Sequence, residues 1–485
     1  MTTTTANKIQ APKRGAGEPG LGRITINRTP YADSGVSGQV EAANRRIAAH
    51  ALLGQARRLL LADFYSDSPV LKHRTSKSGS KLSHRTSWCR RRAVPGSDDH
   101  PLLYFRESRV GRVGHVWKCG SLGTCPVCAE TISERRRAML NDVYAARGGK
   151  AVMITLTMRH TRQQGLQSVR DLISEAFKRL MVTGKAARGF CRRWGIVGRI
   201  TAHETTYGVN GWHPHLHVAV DFDRKLSEVN LDELKDELIK RWCSIVENLG
   251  GYASPAWSVD VSVQADPAYL AKLGFEHVRL IDSNGQWNIA AEMTKAPTKT
   301  AKRGGLSPKA LLAVSLSGQT YFDPETGLTV SPGRAGELWI EYAATTYRAK
   351  HLMAAGTLRA AMKTAGDKSD EELADEDTHF AEVMGTIRIE DYLRVVGNDA
   401  VAELENEIGT GDPERVRLFL AALAILFTAN VEFGDDPEPP DVVLDLTGPI
   451  RVMRSRVDLD SMTVTETVEE ISRAEYQCYL ERDGS

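Results

Sequence analysis

The stretch that most constrains this chain is Gly211-Trp212-His213-Pro214-His215-Leu216-His217-Val218-Ala219-Val220. Alternate side chains of a strand share a face, so His213, His215 and His217 would point the same way, roughly 7 Å apart. Neutral imidazole is the commonest metal ligand, and two such rings on one strand can grip a single ion. The plainer reading is an edge strand with solvent-facing histidines. Three of the chain's 13 histidines in register within five residues favours a metal site.

The surroundings predict how that strand is framed. Ala151–Met158 and Ile196–Thr205 read as strands, with Asn210-Gly211 supplying hairpin turn chemistry before His213–Val220. Ser258–Gln264 alternates Val259, Val261 and Val263 and is predicted as a half-buried strand, and Trp287–Met293 as another. Leu166–Leu180 and Leu231–Leu249 carry helical periodicity, as do Glu41–Phe64, Thr131–Ala146, Ser307–Leu316, Ala335–Lys350 and the apolar run from Pro413 to about Ala429. Asp266-Pro267 fits an N-cap and first helical position, which starts a helix with Tyr269 in its first turn and Lys272 three residues on. A short strand is expected at Val442–Leu446.

A second ligand group precedes this region. Cys119, Cys125 and Cys128 form a C-x₂-C knuckle plus one, the pattern of half a tetrahedral structural zinc site. Either Cys89 or His115 is available as the fourth ligand. Seven cysteines, with three packed so closely, favour metal over a disulfide framework.

Charge enters because it is segregated. Residues 1–365 hold 53 Lys+Arg against 31 Asp+Glu, a net of +22, while residues 366–485 hold 10 against 30, a net of −20. A basic body with an acidic tail region points to a polyanionic partner, nucleic acid first. Leu71–Arg92 contributes eight Lys/Arg, no acid and five serines, and reads either as a flexible segment able to follow phosphates or equally as a purely solvated linker. Arg159 and His160, ending the first strand, are further candidate DNA or phosphate contacts. The longest apolar run, Leu418–Ala429, is too short to span a bilayer, and the N-terminus has no apolar h-region, so a cytoplasmic protein is expected. No G-x-x-x-x-G-K-[ST] phosphate loop occurs in the chain.

Taken in order, these blocks resemble the rolling-circle replication initiators of actinobacterial plasmids, within the HUH endonuclease group. The resemblance is carried by Ile154-Thr155-Leu156-Thr157-Met158-Arg159-His160, by Glu204 through Val218, by Tyr269-Leu270-Ala271-Lys272, and by the preceding cysteine knuckle. Trp339–Tyr347 and Lys368–Ala374 are similar to that family's downstream segments. It covers about residues 85–375.

The resemblance implies a nicking and strand-transfer enzyme. It implies His215 and His217 as the metal-binding pair, Glu204 as third ligand and His213 as an optional fourth, holding Mg²⁺ or Mn²⁺. It implies Tyr269 as a nucleophile that forms a 5′-phosphotyrosine and frees a 3′-hydroxyl primer, with Lys272 steadying the phenolate or phosphate. The implied partners are plasmid origin DNA, single-stranded at the nick, and a host helicase, single-strand-binding protein and polymerase. The family's water-activating glutamate, four residues before the tyrosine in some members, is here Ala265; Asp266, better read as the helix N-cap, and Glu276 are the nearby candidate carboxylates, and how the reaction closes stays open. An HUH relaxase or transposase would share the site, and a zinc-dependent DNA-binding regulator with a vestigial nuclease is the reading from a different class.

The expected fold is α+β. A central antiparallel sheet would carry the HUH metal site between flanking helices, with an N-terminal zinc-knuckle element and a mostly helical acidic C-terminal region. The expected divisions are a disordered segment 1–40, a basic and zinc-knuckle region 41–145, an endonuclease domain 146–300, a helical extension 301–365 and the acidic region 366–485.

Overall fold

The alternating and β-branched runs of the central region assemble into one six-stranded sheet. Its strands are β1 (Ala151–Leu156), β2 (Ile196–Gly208), β3 (Gly211–Phe222), β4 (Val259–Ala265), β5 (Arg279–Asp282) and β6 (Leu352–Ala355), in the order β6-β2-β3-β1-β4-β5. The computed structural model describes residues 36–72, 74–75, 81–92, 94, 102–105, 111–272, 277–282, 288–298, 305–375, 382–387, 389–397, 400–422, 450–457 and 464–471.

The sheet is mixed rather than antiparallel throughout. Every pairing is antiparallel except β4 with β5, which is parallel. The cause is the connection: the chain leaves β4 through a helical turn at Pro267–Leu270 instead of a hairpin, and a parallel return needs such a crossover. β6 comes from the segment expected to be helical and pairs with β2 through Leu352↔Ala202 to Ala355↔Arg199.

Strand alternation sorts side chains onto two faces. Val152, Ile154 and Leu156, with Leu216, Val218 and Val220 and with Val261 and Val263, bury one face in the core that holds α3 (Leu166–Phe177) and α5 (Leu231–Glu247). Ala151, Met153, Ile200, Ala202 and Ala219 face the other way, against α2 (Pro126–Ala145), α7 (Ile289–Thr294) and α10 (Gly356–Thr364). His213, His215 and His217 have the parity of Ala219 and so belong to this second face.

Several expectations are corrected here. α1 runs Val36–Tyr65, so the helix begins inside the stretch expected to be disordered, and residues 1–35 lie outside the described residues. The expected strand at Trp287–Met293 is helix α7 over Ile289–Thr294. Asn288 caps it by accepting from the Ala291 amide, and Ala290, Ala291 and Glu292 bring none of the β-branching that favours a strand. The basic segment is not a solvated linker along its whole length: Thr86, Ser87, Cys89 and Arg90 are buried, because Cys89 is drawn into the thiol cluster described below. The acidic region contains helices at Asp370–Asp375, Ile389–Gly397, Val401–Ile408 and Pro413–Ala422. It also contains strands: Glu382–Thr386 pairs with Leu102–Phe105, and Ile450–Val457 pairs with Val464–Ile471. The expected strand Val442–Leu446 lies outside the described residues. No described helix is long and apolar enough to cross a membrane.

One buried ionic cluster ties the acidic region to the basic body. Glu405 is 1% exposed; its carboxylate lies 2.7 Å from Arg90, 3.5 Å from Arg112 and 3.8 Å from His50.

Candidate active site

The β2–β3 hairpin builds the histidine face by register. Glu204 sits opposite His215, Thr206 opposite His213 and Ala202 opposite His217, and on the other side β1 places Thr155 opposite His217. The His217 ring is held from both ends: Nδ1 is 3.1 Å from Thr155 Oγ1, and Nε2 is 3.1 Å from Glu204 Oε2. Glu292 of α7 brings a second carboxylate, with Oε1 3.9 Å from the same Nε2, and pairs with Lys295.

Glu204, His217 and Glu292 are all buried, and their ligand atoms lie within 4.8 Å of one another. Two buried carboxylates with one imidazole are costly unless positive charge accompanies them, and Lys295 supplies one cation. A divalent ion fits this donor set. Carboxylate oxygens suit Mg²⁺ and Mn²⁺, and the imidazole shifts the preference toward Mn²⁺.

The remaining histidines continue the row. The His215 ring centroid is 6.3 Å from that of His217 and 4.1 Å from that of His213, so His215 stands beside the three-residue group rather than within it. His213 Nε2 lies 2.8 Å from Thr157 Oγ1. His160 then stacks on His213, with centroids 4.5 Å apart and planes at 27°. Burial pushes the His160 pKa down. Beyond it opens a cleft of about 340 Å³ lined by Arg159, His160, Thr161, Arg162, Gln163 and Asn210.

Tyr269 is placed elsewhere. Asp266 caps α6 (Pro267–Leu270), its Oδ1 accepting from the Tyr269 amide at 2.9 Å, so the Asp-Pro start is as expected. The Tyr269 ring packs against the α3/α5 face of the sheet, with Lys150 Nζ 3.8 Å above it. Ala151 pairs with Gln264 near this end of β1, whereas His217 pairs with Thr155, four residues along or about 13 Å at the strand rise. The structure therefore does not bring Tyr269 to the imidazoles, which lie on the opposite face. Lys272 is exposed, and Glu276 lies outside the described residues.

The cysteines gather into one buried cluster. Cys89, Cys119, Cys125 and Cys128 present their sulfurs within 4.8 Å of one another. Cys89–Cys128 is 3.6 Å, Cys89–Cys125 is 3.7 Å and Cys119–Cys128 is 3.8 Å. Tetrahedral Zn–S bonds of ~2.3 Å imply sulfur separations of about 3.8 Å, and a disulfide would need ~2.05 Å. The cluster can therefore hold a metal such as zinc. Backbone amides of Ser121 and Cys128 point at Cys119 and Cys125, and that of Cys119 at Cys89. Hydrogen bonding from Cys119 holds the Cys89 thiol well below its usual pKa. His115, the other candidate fourth ligand, is exposed at φ 56° and stands outside the cluster.

Sequence reasoning missed Glu292. The available signal was an Asn cap three residues before an Ala-rich helical turn, masked by reading Trp287–Met293 as extended. It also missed Arg162, Gln163 and Asn210 as a group, because the cleft joins a loop to a hairpin tip 47 residues or more away in sequence.

Part of the chain is similar to two curated Streptomyces proteins. One, "Protein rep" from Streptomyces lividans, is 32% identical over 134 residues, which covers 22% of this chain and 29% of that protein. The other, "Neomycin resistance protein" from Streptomyces cyanogenus, is 31% identical over 131 residues, covering 21% and 30%. The chain thus spans under a third of the length of the curated relatives it matches. No family model and no solved structure matches the chain.

Proposed function

We propose that the chain is a replication initiator of the rolling-circle type that nicks plasmid origin DNA. The carrying observation is the buried Glu204–His217–Glu292 group on the histidine face, opening along a row of imidazoles to arginines at the surface. Partial similarity to the Streptomyces lividans "Protein rep" supports a replication-associated role.

Glu204, His217 and Glu292, with His215 and His213 adjoining, would hold a Mg²⁺ or Mn²⁺ ion. Such an ion, when bound, supplies polarisation of a non-bridging oxygen of the scissile phosphate. Thr155 fixes the His217 ring through Nδ1 and so aims Nε2 at the site. In this reading the Tyr269 oxygen attacks phosphorus and the bond to the 3′ oxygen breaks, giving a 5′-phosphotyrosine and a 3′-hydroxyl that takes up the phenolic proton through solvent. Lys272 steadies the developing charge. Because Tyr269 rests on the opposite face here, the reading requires α6 to be repositioned when DNA is bound. The four cysteines would hold structural zinc, bracing the basic region that approaches DNA. A helicase, single-strand-binding protein and polymerase would act on the nicked product.

The placement of Tyr269 favours one second reading: a zinc-dependent DNA-binding regulator whose nuclease site is vestigial. One experiment separates the two. The purified protein is incubated with Mg²⁺ or Mn²⁺ and single-stranded oligonucleotides tiling its replicon. The initiator reading expects a covalent protein–DNA adduct, lost in Tyr269→Phe and in His215→Ala/His217→Ala. Folded protein that forms no adduct on any tile would leave the regulator.

A further inference from the structure

The cleft at the end of the imidazole row is built, not incidental. Gly211 has φ +88°, and a Cβ there would lie 2.9 Å from the Arg162 Cα and 3.2 Å from the Thr161 carbonyl oxygen. The hairpin tip and the 161–163 loop therefore touch backbone to backbone, a fit that only glycine permits. The loop is closed on itself, the Thr161 amide donating to Gln164 Oε1 at 2.8 Å and the Gln164 amide to the Thr161 carbonyl at 3.0 Å. Its entry is fixed by the Arg159 amide donating to the Tyr252 carbonyl at 2.8 Å. The hairpin is anchored from below, where Trp212 Nε1 donates to Glu341 at 2.9 Å.

The lining has the chemistry of one nucleotide. Arg159 and Arg162 are exposed, and among the described residues neither has a carboxylate partner. Guanidinium forks match phosphate oxygens in pairs. Asn210 and Gln163 each carry a donor and an acceptor, the combination that reads base edges. His160 lines the cleft with its ring stacked on that of His213 behind it, a flat face on which a base can lie. At about 340 Å³ the cleft falls near the lower end of small-ligand sites, ~300–1,000 Å³, which suits a single nucleotide.

We propose that this cleft is a nucleotide-binding subsite for single-stranded DNA. Arg159 and Arg162 hold a phosphate, Asn210 and Gln163 discriminate the base, and His160 with His213 supports it by stacking. A strand with its phosphate at Glu204–His217–Glu292 would pass His215 and enter the cleft, so the position of the subsite relative to cleavage rests on the endonuclease reading. Its affinity for DNA does not. A duplex is the wrong substrate, because paired bases cannot turn their edges into so small a concavity.

The test is fluorescence anisotropy of the full chain with a labelled mixed-sequence 20-nucleotide DNA strand in EDTA, across a salt series. We expect Arg159→Ala/Arg162→Ala to bind about tenfold or more weakly and to lower the slope of log K against log salt by about 0.7, the share of one neutralised phosphate on a single strand. Arg159→Lys/Arg162→Lys should recover the slope and only part of the affinity. Asn210→Ala and Gln163→Ala should leave the slope unchanged and flatten any preference among dT₂₀, dC₂₀ and dA₂₀. Unchanged affinity and slope in the folded double alanine variant would overturn the proposal, as would equal wild-type affinity for single-stranded RNA or duplex DNA. Because binding is read without metal, failure to form a covalent adduct leaves this result standing, and loss of the subsite leaves the nicking assay to be judged separately.

Discussion

At the scale of single residues, the metal group depends on a carboxylate from outside the hairpin. Glu204 and His217 face each other because two strands are in register, but Glu292 reaches them from α7 across the layer. Glu292→Gln keeps the shape and removes one negative charge. We expect Mn²⁺ binding, followed by isothermal titration or by the electron paramagnetic resonance of free ion, to weaken at least as far as the ~10–100-fold typical of losing an outer partner. A metal affinity equal to the parent's would remove Glu292 from the site. The contrast shows what the sequence makes legible. The shared face of His213, His215 and His217 was legible from strand alternation alone, while Glu204 entered only through the family resemblance; the structure sets Glu204 and His217 together and leaves His215 and His213 beside them. Glu292 and the cleft residues depend on packing between distant segments, which no local periodicity encodes. Tyr269 was legible as a capped helical residue, and its distance from the histidines was not, because that distance is set by which face α6 crosses to on leaving β4.

At the scale of elements, Glu341 joins three of them. Its carboxylate lies on α9 (Pro332–Thr346), accepts from the Leu166 amide at 2.6 Å and so closes the start of α3, whose preceding Gly165 offers no side-chain cap. The other oxygen accepts from Trp212 Nε1 in the hairpin. Trp212 is 2% exposed, so its indole nitrogen has no solvent to replace this partner. Hydrogen bonds to a charged acceptor contribute about 1.5–3 kcal/mol each, and an orphaned buried donor costs on the order of 1–3 kcal/mol more. Glu341→Ala should therefore lower the unfolding free energy by about 3 kcal/mol in a urea titration, with Glu341→Gln losing less. A change within ~0.5 kcal/mol would mean the clamp contributes nothing. Glu341 lies in the Trp339–Tyr347 block and braces the β2–β3 hairpin from α9. The helices themselves were legible at this scale wherever a cap and a clear period coincide, as at Asp266-Pro267. α7 was misread because six residues are too few for a period to declare itself.

For the molecule as a whole, the opposite charges of the two halves meet near the surface, where Arg136 pairs with Asp367 and Asp370 and Arg85 with Glu371, and also at a buried cluster around Glu405. Glu405 brings the acidic region into contact with Arg90 and Arg112, and His50 of α1 completes the group, with Arg57 and Tyr392 also facing it. Burial and then Arg90 push the His50 pKa down to about 3, although Glu405 pulls the other way. Glu405 itself is held well below the usual carboxylate range, its burial outweighed by Arg90, Arg112 and His50. Burial likewise lowers His203 to about 3 and His351 to about 4. All four shifts act in one direction with pH. The folded state keeps these imidazoles neutral while the unfolded chain protonates them below about pH 6.5, and Glu405 stays ionised in the fold after it has protonated in the unfolded chain. In each case the unfolded state binds more protons, so stability falls as pH falls. The loss begins near pH 6.5 with the histidines and steepens below about 4.5 as Glu405 joins them. Urea titrations at pH 8, 6.5, 5.5 and 4.5 should show little change between the first two and a progressive decline after. His50→Gln should shallow that decline between pH 6.5 and 4.5 by roughly one proton's share, ~1.4 kcal/mol per pH unit at most, because it removes one of the rings that the fold holds neutral. A wild-type profile that stays flat down to pH 4.5, or a His50→Gln profile as steep as the parent's, would show that His50 is not held neutral in the fold.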